Sequence, residues 1–251
     1  MSEFVRTRPQ HLSLACRLQT TLLRLPLLLI ATTVCGSISL AISAVDRSGR
    51  MQHGMSQLWA RALVLLCGAR LKVEGLDKLE AVPVAVFASN HTSYMDTPVI
   101  FSTLPFQFRI LAKKELWSIP FIGWYLSRSG QISIDTANPR ASLSSLAVGA
   151  KALRSGMPLF VFPEGGRTMD GGLQKFLPGA AYLAIRAQVP LVPIALLGLY
   201  DLLPIHTRHF FPGKVTLRIG DPIPTAGMTI RQLDDLNAEL QTAIAKLLSA
   251  E

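Results

Sequence analysis

The chain has 251 residues, of which 49% are hydrophobic and only 16% charged, a balance that excludes a disordered chain and leaves ample material for a packed core. Its net charge of +9 is unevenly placed: residues 1–72 hold nine Lys and Arg against Glu3 and Asp46, a net of +7, and the remainder nets +2. That surplus brackets an apolar stretch and lacks the basic–aromatic interleaving of nucleic-acid surfaces, so it speaks for anionic lipid and against a nucleic-acid partner.

The first predicted element is the run 25–45, bounded by Arg24 and Asp46, which carries no charge. It is long enough to cross a hydrocarbon core of ~30 Å as a helix, with Pro26 suited to its start. It exceeds the usual apolar length of a signal peptide, and is read as a retained membrane anchor. Residues 55–68 predict a second, shorter helix with Leu58, Trp59, Ala62, Leu65 and Leu66 on one face, suited to interfacial packing. From residue 71 short apolar runs alternate with helical patterns. Strands are predicted at 71–74, 84–88, 108–111, 131–134, 159–162, 191–196 and 215–219, and helices at 97–104, 139–155, 179–188 and 229–250. Strands separated by helices predict an α/β fold, here one domain over 71–251 with a mixed sheet flanked by helices. A membrane-associated helical segment, 1–70, precedes it. Cys16, Cys35 and Cys67 have neither metal-ligand spacing nor even pairing, and no metal site is expected.

Two blocks carry the chemistry. Residues 90–96 (NHTSYMD) follow the strand predicted at 84–88 and place His91 and Asp96 on one turn. Neutral imidazole can take a proton from an alcohol near neutral pH, and a carboxylate partner fixes its tautomer. Such a spacing alone is more often structural. Residues 162–168 (FPEGGRT) follow the strand predicted at 159–162. Gly165 and Gly166 allow close backbone approach to an anion, and Arg167 supplies a forked donor for phosphate. A solvated Arg on a Gly-Gly turn is the plainer alternative. Together the blocks point to a general base, His91, oriented by Asp96, and an anion clamp.

These blocks resemble motifs one and three of the glycerolipid acyltransferases, specifically the bacterial 1-acylglycerol-3-phosphate acyltransferases. Residues 113–116 with 119–123 and 130–135 are similar to motif two, and 189–194 (VPLVPI) to motif four. The resemblance covers about 71–224, with the four blocks in order. Two positions depart from it: Thr136 stands where motif two usually has Arg, with Arg140 a conceivable substitute, and Gly166 replaces the usual Thr of motif three.

The resemblance implies transfer of a fatty acyl group from an acyl thioester to the 2-hydroxyl of 1-acyl-sn-glycerol-3-phosphate (lysophosphatidic acid), forming phosphatidate. It implies the same roles for His91 and Asp96, and substrate binding by Glu164, Gly165, Gly166 and Arg167. Lys113, and secondarily Lys175, are further phosphate candidates, and Ile119, Pro120, Phe121, Leu177 and Pro193 candidates for the acyl path. No metal or organic cofactor is implied; acyl-CoA or acyl carrier protein serves as co-substrate. The expected location is the bacterial inner membrane, catalytic domain on the cytoplasmic side, in contact with membrane lipid. Two alternatives stand beside this: another lysolipid as acceptor, such as a lyso-ornithine lipid, or a non-catalytic membrane-binding protein on the same fold.

Overall fold

The computed structural model describes residues 14–250, apart from 81, 205, 206 and 208. A long N-terminal helix begins as α1 (Leu14–Gln19), passes through a π-helical turn at Thr20–Arg24, and continues as α2 (Leu25–Ile42). Between Arg17 and Ile42 it is long and apolar enough to cross a membrane, and only 6% of its most apolar window is buried. The chain then turns back into α3 (Arg50–Leu66), five residues earlier than the sequence pattern predicts. The early start has a local cause. Asp46 accepts hydrogen bonds from the Ser48 and Gly49 amides through one oxygen and from the Gln52 amide through the other, satisfying amides at the helix start.

The remaining strands and helices follow the predicted alternation. The strands are β1 (Ala69–Glu74), β2 (Val86–Ser89), β3 (Arg109–Lys113), β4 (Ile132–Ile134), β5 (Leu159–Val161), β6 (Leu191–Leu197) and β7 (Gly213–Ile219). The helices are α4 (Asp96–Thr103), α5 (Ile122–Arg128), α6 (Pro139–Arg154), α7 (Gly179–Ala187), α8 (Leu199–Leu202) and α9 (Leu233–Ser249). Helices α5 and α8 have no counterpart in the sequence prediction. The strands form one sheet in the order β1-β7-β6-β2-β5-β3-β4. The β6–β7 pair is antiparallel and every other pair parallel, so the sheet is mixed as expected.

Strand alternation sorts the core into two layers. Phe87 of β2, Phe160 of β5 and Val192, Ile194 and Leu196 of β6 face one side, with Ala60, Leu63 and Val64 of α3 and Val99, Ile100 and Phe101 of α4. Val86 and Ala88, Leu159 and Val161 face the other, covered by α6, α7 and α9 through residues such as Leu153, Leu183 and Leu240. Helix α6 is set by its first turn, where the Asn138 side chain accepts from the Arg140 and Ala141 amides and Pro139 occupies the first helical position. The boundary expected at 70/71 falls inside β1, and α3 contributes to the same core as α4. Helix α2 lies along α3, with Leu25, Leu28 and Ala31 packed onto that core.

Candidate active site

The sheet brings both sequence blocks to one edge. Strands β2 and β5 are parallel neighbours, so the turns leaving their carboxyl ends, which carry residues 90–96 and 162–168, emerge side by side. Lys113 ends β3 and Thr136 follows β4, both at the same edge. The crevice beyond the carboxyl ends of parallel strands is where open α/β sheets place ligands. Here it is a cleft of about 270 Å³.

His91 Nδ1 lies 2.7 Å from Asp96 Oδ2. Asp96 is fully buried, and the same oxygen accepts from the Thr92 and Ser93 amides at 2.6 and 2.9 Å. The turn 92–95 therefore wraps the carboxylate in main-chain donors, which offsets the cost of burying it. With Nδ1 engaged, Nε2 is the ring nitrogen left for a substrate. The imidazole stacks on Phe162 with ring centroids 3.9 Å apart, which fixes its plane. Asn90 and Ser93 shape the turn: the Asn90 amide exchanges two hydrogen bonds with the Leu196 backbone, and Ser93 Oγ donates to the Leu203 carbonyl.

The Arg167 guanidinium, which also lines the cleft, lies over the Tyr94 ring, 3.7 Å from its centroid. Its buried Nε has no hydrogen-bond partner among the described residues. Gly165 has φ +69, a conformation that favours glycine, and a Cβ there would stand 2.7 Å from Leu177 Cδ1. Gly166 is under no such constraint; a Cβ at that position would meet only Lys113 Nζ, at 3.6 Å. Glycine here leaves that space open beside the Lys113 ammonium. Lys114, by contrast, is paired with Asp135.

Glu164 differs from expectation. It does not line the cleft. Its carboxylate accepts from the main-chain amides of His91, at 2.6 Å, and Gln174, at 2.8 Å, so it braces the turn 90–96 instead of lining the cleft. The Thr168 amide adds a bond to the His91 carbonyl at 2.9 Å. Burial pushes the Glu164 carboxyl up to about 7 from its ordinary 4.5, against the two amide donors and with help from the nearby charges of Asp96 and Asp170. A folded state that holds a proton more tightly than the unfolded chain loses stability as pH rises from about 4.5 to about 7. Glu164→Gln cannot titrate. The melting-temperature difference between variant and wild type should therefore move in the variant's favour by several degrees across that window, then level off. A difference that stays constant with pH would place the same charge on Glu164 in both states.

Several expected site residues lie elsewhere. Arg140 and Lys175 are exposed and off the cleft, while Thr136, in the place of the usual motif-two Arg, does line it. Residues 189–194 build β6 and the turn before it, and Pro193 bonds to Gly220 through its carbonyl; this block is framework. Ile119 and Pro120 are exposed and outside the cavities, whereas Leu177 lines the cleft and Phe121 an adjoining one. Tyr94, Phe162 and Gln174 join the site without a sequence signal of their own, although Tyr94 and Phe162 lie within the two blocks. Among the described residues no cluster of three or more His, Cys, Asp or Glu could hold a metal ion.

Known proteins match this arrangement. A family model described as Acyltransferase covers residues 70–197. The chain is 32% identical over 182 residues to an uncharacterized acyltransferase of Schizosaccharomyces pombe, covering 71% of this chain and 65% of that protein. It is 32% identical to a chloroplastic 1-acyl-sn-glycerol-3-phosphate acyltransferase of Arabidopsis thaliana, over 69% of this chain but only 49% of the plant protein. Human 1-acyl-sn-glycerol-3-phosphate acyltransferase alpha is 32% identical over 76% of this chain and 68% of its own length. The crystal structure of the 1-acyl-sn-glycerophosphate acyltransferase of Thermotoga maritima superposes with a TM-score of 0.76 and 25% identity, covering 94% of this chain and 99% of that one. The model match spans just over half of the chain and includes both turns at the sheet edge, and on that footing this chain belongs to the acyltransferase family.

Proposed function

We propose that the chain transfers a fatty acyl group from an acyl thioester to the 2-hydroxyl of 1-acyl-sn-glycerol-3-phosphate, releasing phosphatidate and free thiol. The observation that carries this reading is one cleft lined by His91, whose Nδ1 is paired with the buried Asp96, and by the cations Arg167 and Lys113. In this reading His91 Nε2 takes the proton of the acceptor hydroxyl as its oxygen attacks the thioester carbonyl carbon. The tetrahedral intermediate collapses with cleavage of the C–S bond, and the imidazolium returns the proton to the departing thiolate. Asp96 holds the tautomer and stabilises the transient imidazolium. Arg167 and Lys113 bind the 3-phosphate. No metal or organic cofactor takes part, and the donor is acyl-CoA or acyl carrier protein.

A second cavity of about 300 Å³, lined almost wholly by apolar atoms, adjoins the cleft and shares Thr97, Ile110, Ala112 and Leu116 with it. It lies between α2, α3 and α5 and suits an acyl chain. Because α2 packs along α3 and not away from the domain, a bilayer meets it flank-on. We place the protein on the cytoplasmic side of a bacterial inner membrane, where the lysolipid acceptor resides.

Thr136 in place of an Arg favours one second reading, an acceptor without phosphate such as a lyso-ornithine lipid. An acyl-transfer assay of purified protein in detergent, offering both acceptors with each donor type, separates them; thioester turnover with neither would overturn both. Within the first reading, Asp96→Asn should lower kcat far more than it raises KM, because it disturbs the histidine tautomer while leaving the cations in place. A pure KM effect would make Asp96 a binding residue.

A further inference from the structure

The segment from Lys114 to Arg128 presents an apolar surface that touches the cleft only at Leu116. Leu116, Ile119, Phe121, Ile122 and Trp124 fall within nine residues and are 37–57% exposed. Contiguous exposure of that kind is uncommon on soluble proteins and marks contact sites. Within it Phe121 has φ 65 and ψ −53, an unusual conformation for a residue with a side chain, and its ring lies 5.2 Å from that of Trp124.

The patch is fixed in place relative to the N-terminal hairpin. Tyr125 Oη and Ser56 Oγ of α3 are 2.6 Å apart, and Arg128 donates to Ser43 Oγ, just past the end of α2, at 3.2 Å. Phe121 and Ile122 line the apolar cavity from one side, and Thr32, Cys35, Gly36 and Ser39 of α2 line it from the other. The patch is thus continuous with the exposed apolar flank of α2. Its charge is slightly basic: Lys114 is tied to Asp135, which leaves Lys113 and Arg128 against Glu115.

We propose that residues 116–124 form a second membrane contact, in which Ile119 and Trp124 enter the headgroup–acyl boundary of the bilayer that α2 meets, so that the apolar cavity opens directly onto lipid. An indole at that depth keeps its ring in the apolar layer and its N–H in contact with water. Lysolipid then reaches His91 by lateral movement, with its acyl chain never passing through water. The proposal rests on the lysolipid reading above for its purpose, but the contact itself can be tested without it.

Two measurements on the full-length protein decide the matter. In a variant carrying Trp59→Phe and Trp117→Phe, Trp124 is the sole tryptophan. Its fluorescence should be quenched on adding vesicles of phosphatidylglycerol and phosphatidylcholine brominated near the headgroup end of the acyl chains, more than by lipids brominated near the chain termini. Absence of quenching in membrane-bound protein, whether a carrier protein or a second copy covers Trp124 instead, overturns the contact.

The second measurement uses Ile119→Ser with Trp124→Ser, two residues outside both cavities. Acylation of a long-chain lysolipid carried in vesicles should fall about tenfold or more, the scale set by removing two large apolar groups from lipid. Acylation of a short-chain lysolipid dissolved as monomers should stay within about twofold, which also verifies folding. Equal losses on both acceptors would make these residues part of the site and overturn the proposal. If the wild type acylates no lysolipid, the functional reading fails, while the quenching result still accepts or rejects the membrane contact.

Discussion

Replacing His91 by alanine should lower acyl transfer by about 10²–10⁴-fold, the usual cost of removing a general base. The drop should lie in kcat, since the two cations proposed to bind the acceptor, Arg167 and Lys113, are unchanged. The fold should survive, because Asp96 keeps its two main-chain donors from Thr92 and Ser93, and the His91 amide that Glu164 grips is untouched. Circular dichroism and melting temperature check this second half. An alanine variant with full turnover would remove His91 from the chemistry and leave the stacked imidazole as packing against Phe162.

Arg167 carries the second large effect. Its guanidinium is already seated over Tyr94, with an unpartnered Nε among the described residues, so a phosphate would find a donor held in place. Charge-assisted hydrogen bonds are worth about 1.5–3 kcal/mol, so Arg167→Ala should raise KM for 1-acylglycerol-3-phosphate about ten- to hundredfold. Arg167→Lys should recover little, since an ammonium lacks the planar fork. KM for the thioester should move much less. If the wild type uses a phosphate-free lysolipid equally well and the alanine variant changes neither acceptor's KM, Arg167 is a turn residue and the second acceptor class takes over.

The two chemical turns were legible because each follows a short apolar strand, and strand, Gly and Pro signals are local. The α/β class followed from alternation, and the strand bounds agree to within a few residues; β2, for instance, runs Val86–Ser89 where 84–88 was expected. What sequence could not supply was direction. Lys113 and Lys114 are adjacent, yet only the neighbouring Asp135 decides that Lys114 is tied back while Lys113 reaches the cleft. Glu164 reads as a ligand in its block because nothing local reveals the amides it meets, 73 residues upstream and ten downstream. Motif four resembles a functional block but is a sheet strand, buried along nearly all its length. Helix α5 escaped because seven residues after Pro120 are too few to show a helical period, and α8 is shorter still.

The bond from Glu164 to the His91 amide links segments 73 residues apart in sequence, and the turns it joins stand at the ends of β2 and β5, which pair only after the intervening β3, β4 and α6 have been accommodated. Contacts of such sequence separation form slowly, because loop closure must be completed before they contribute. Catalytic competence is therefore a late event in the life of each new chain. On refolding from denaturant, helical signal should return first and enzymatic activity with the slowest phase, so that a chain trapped before β2 and β5 pair would show helix content without turnover.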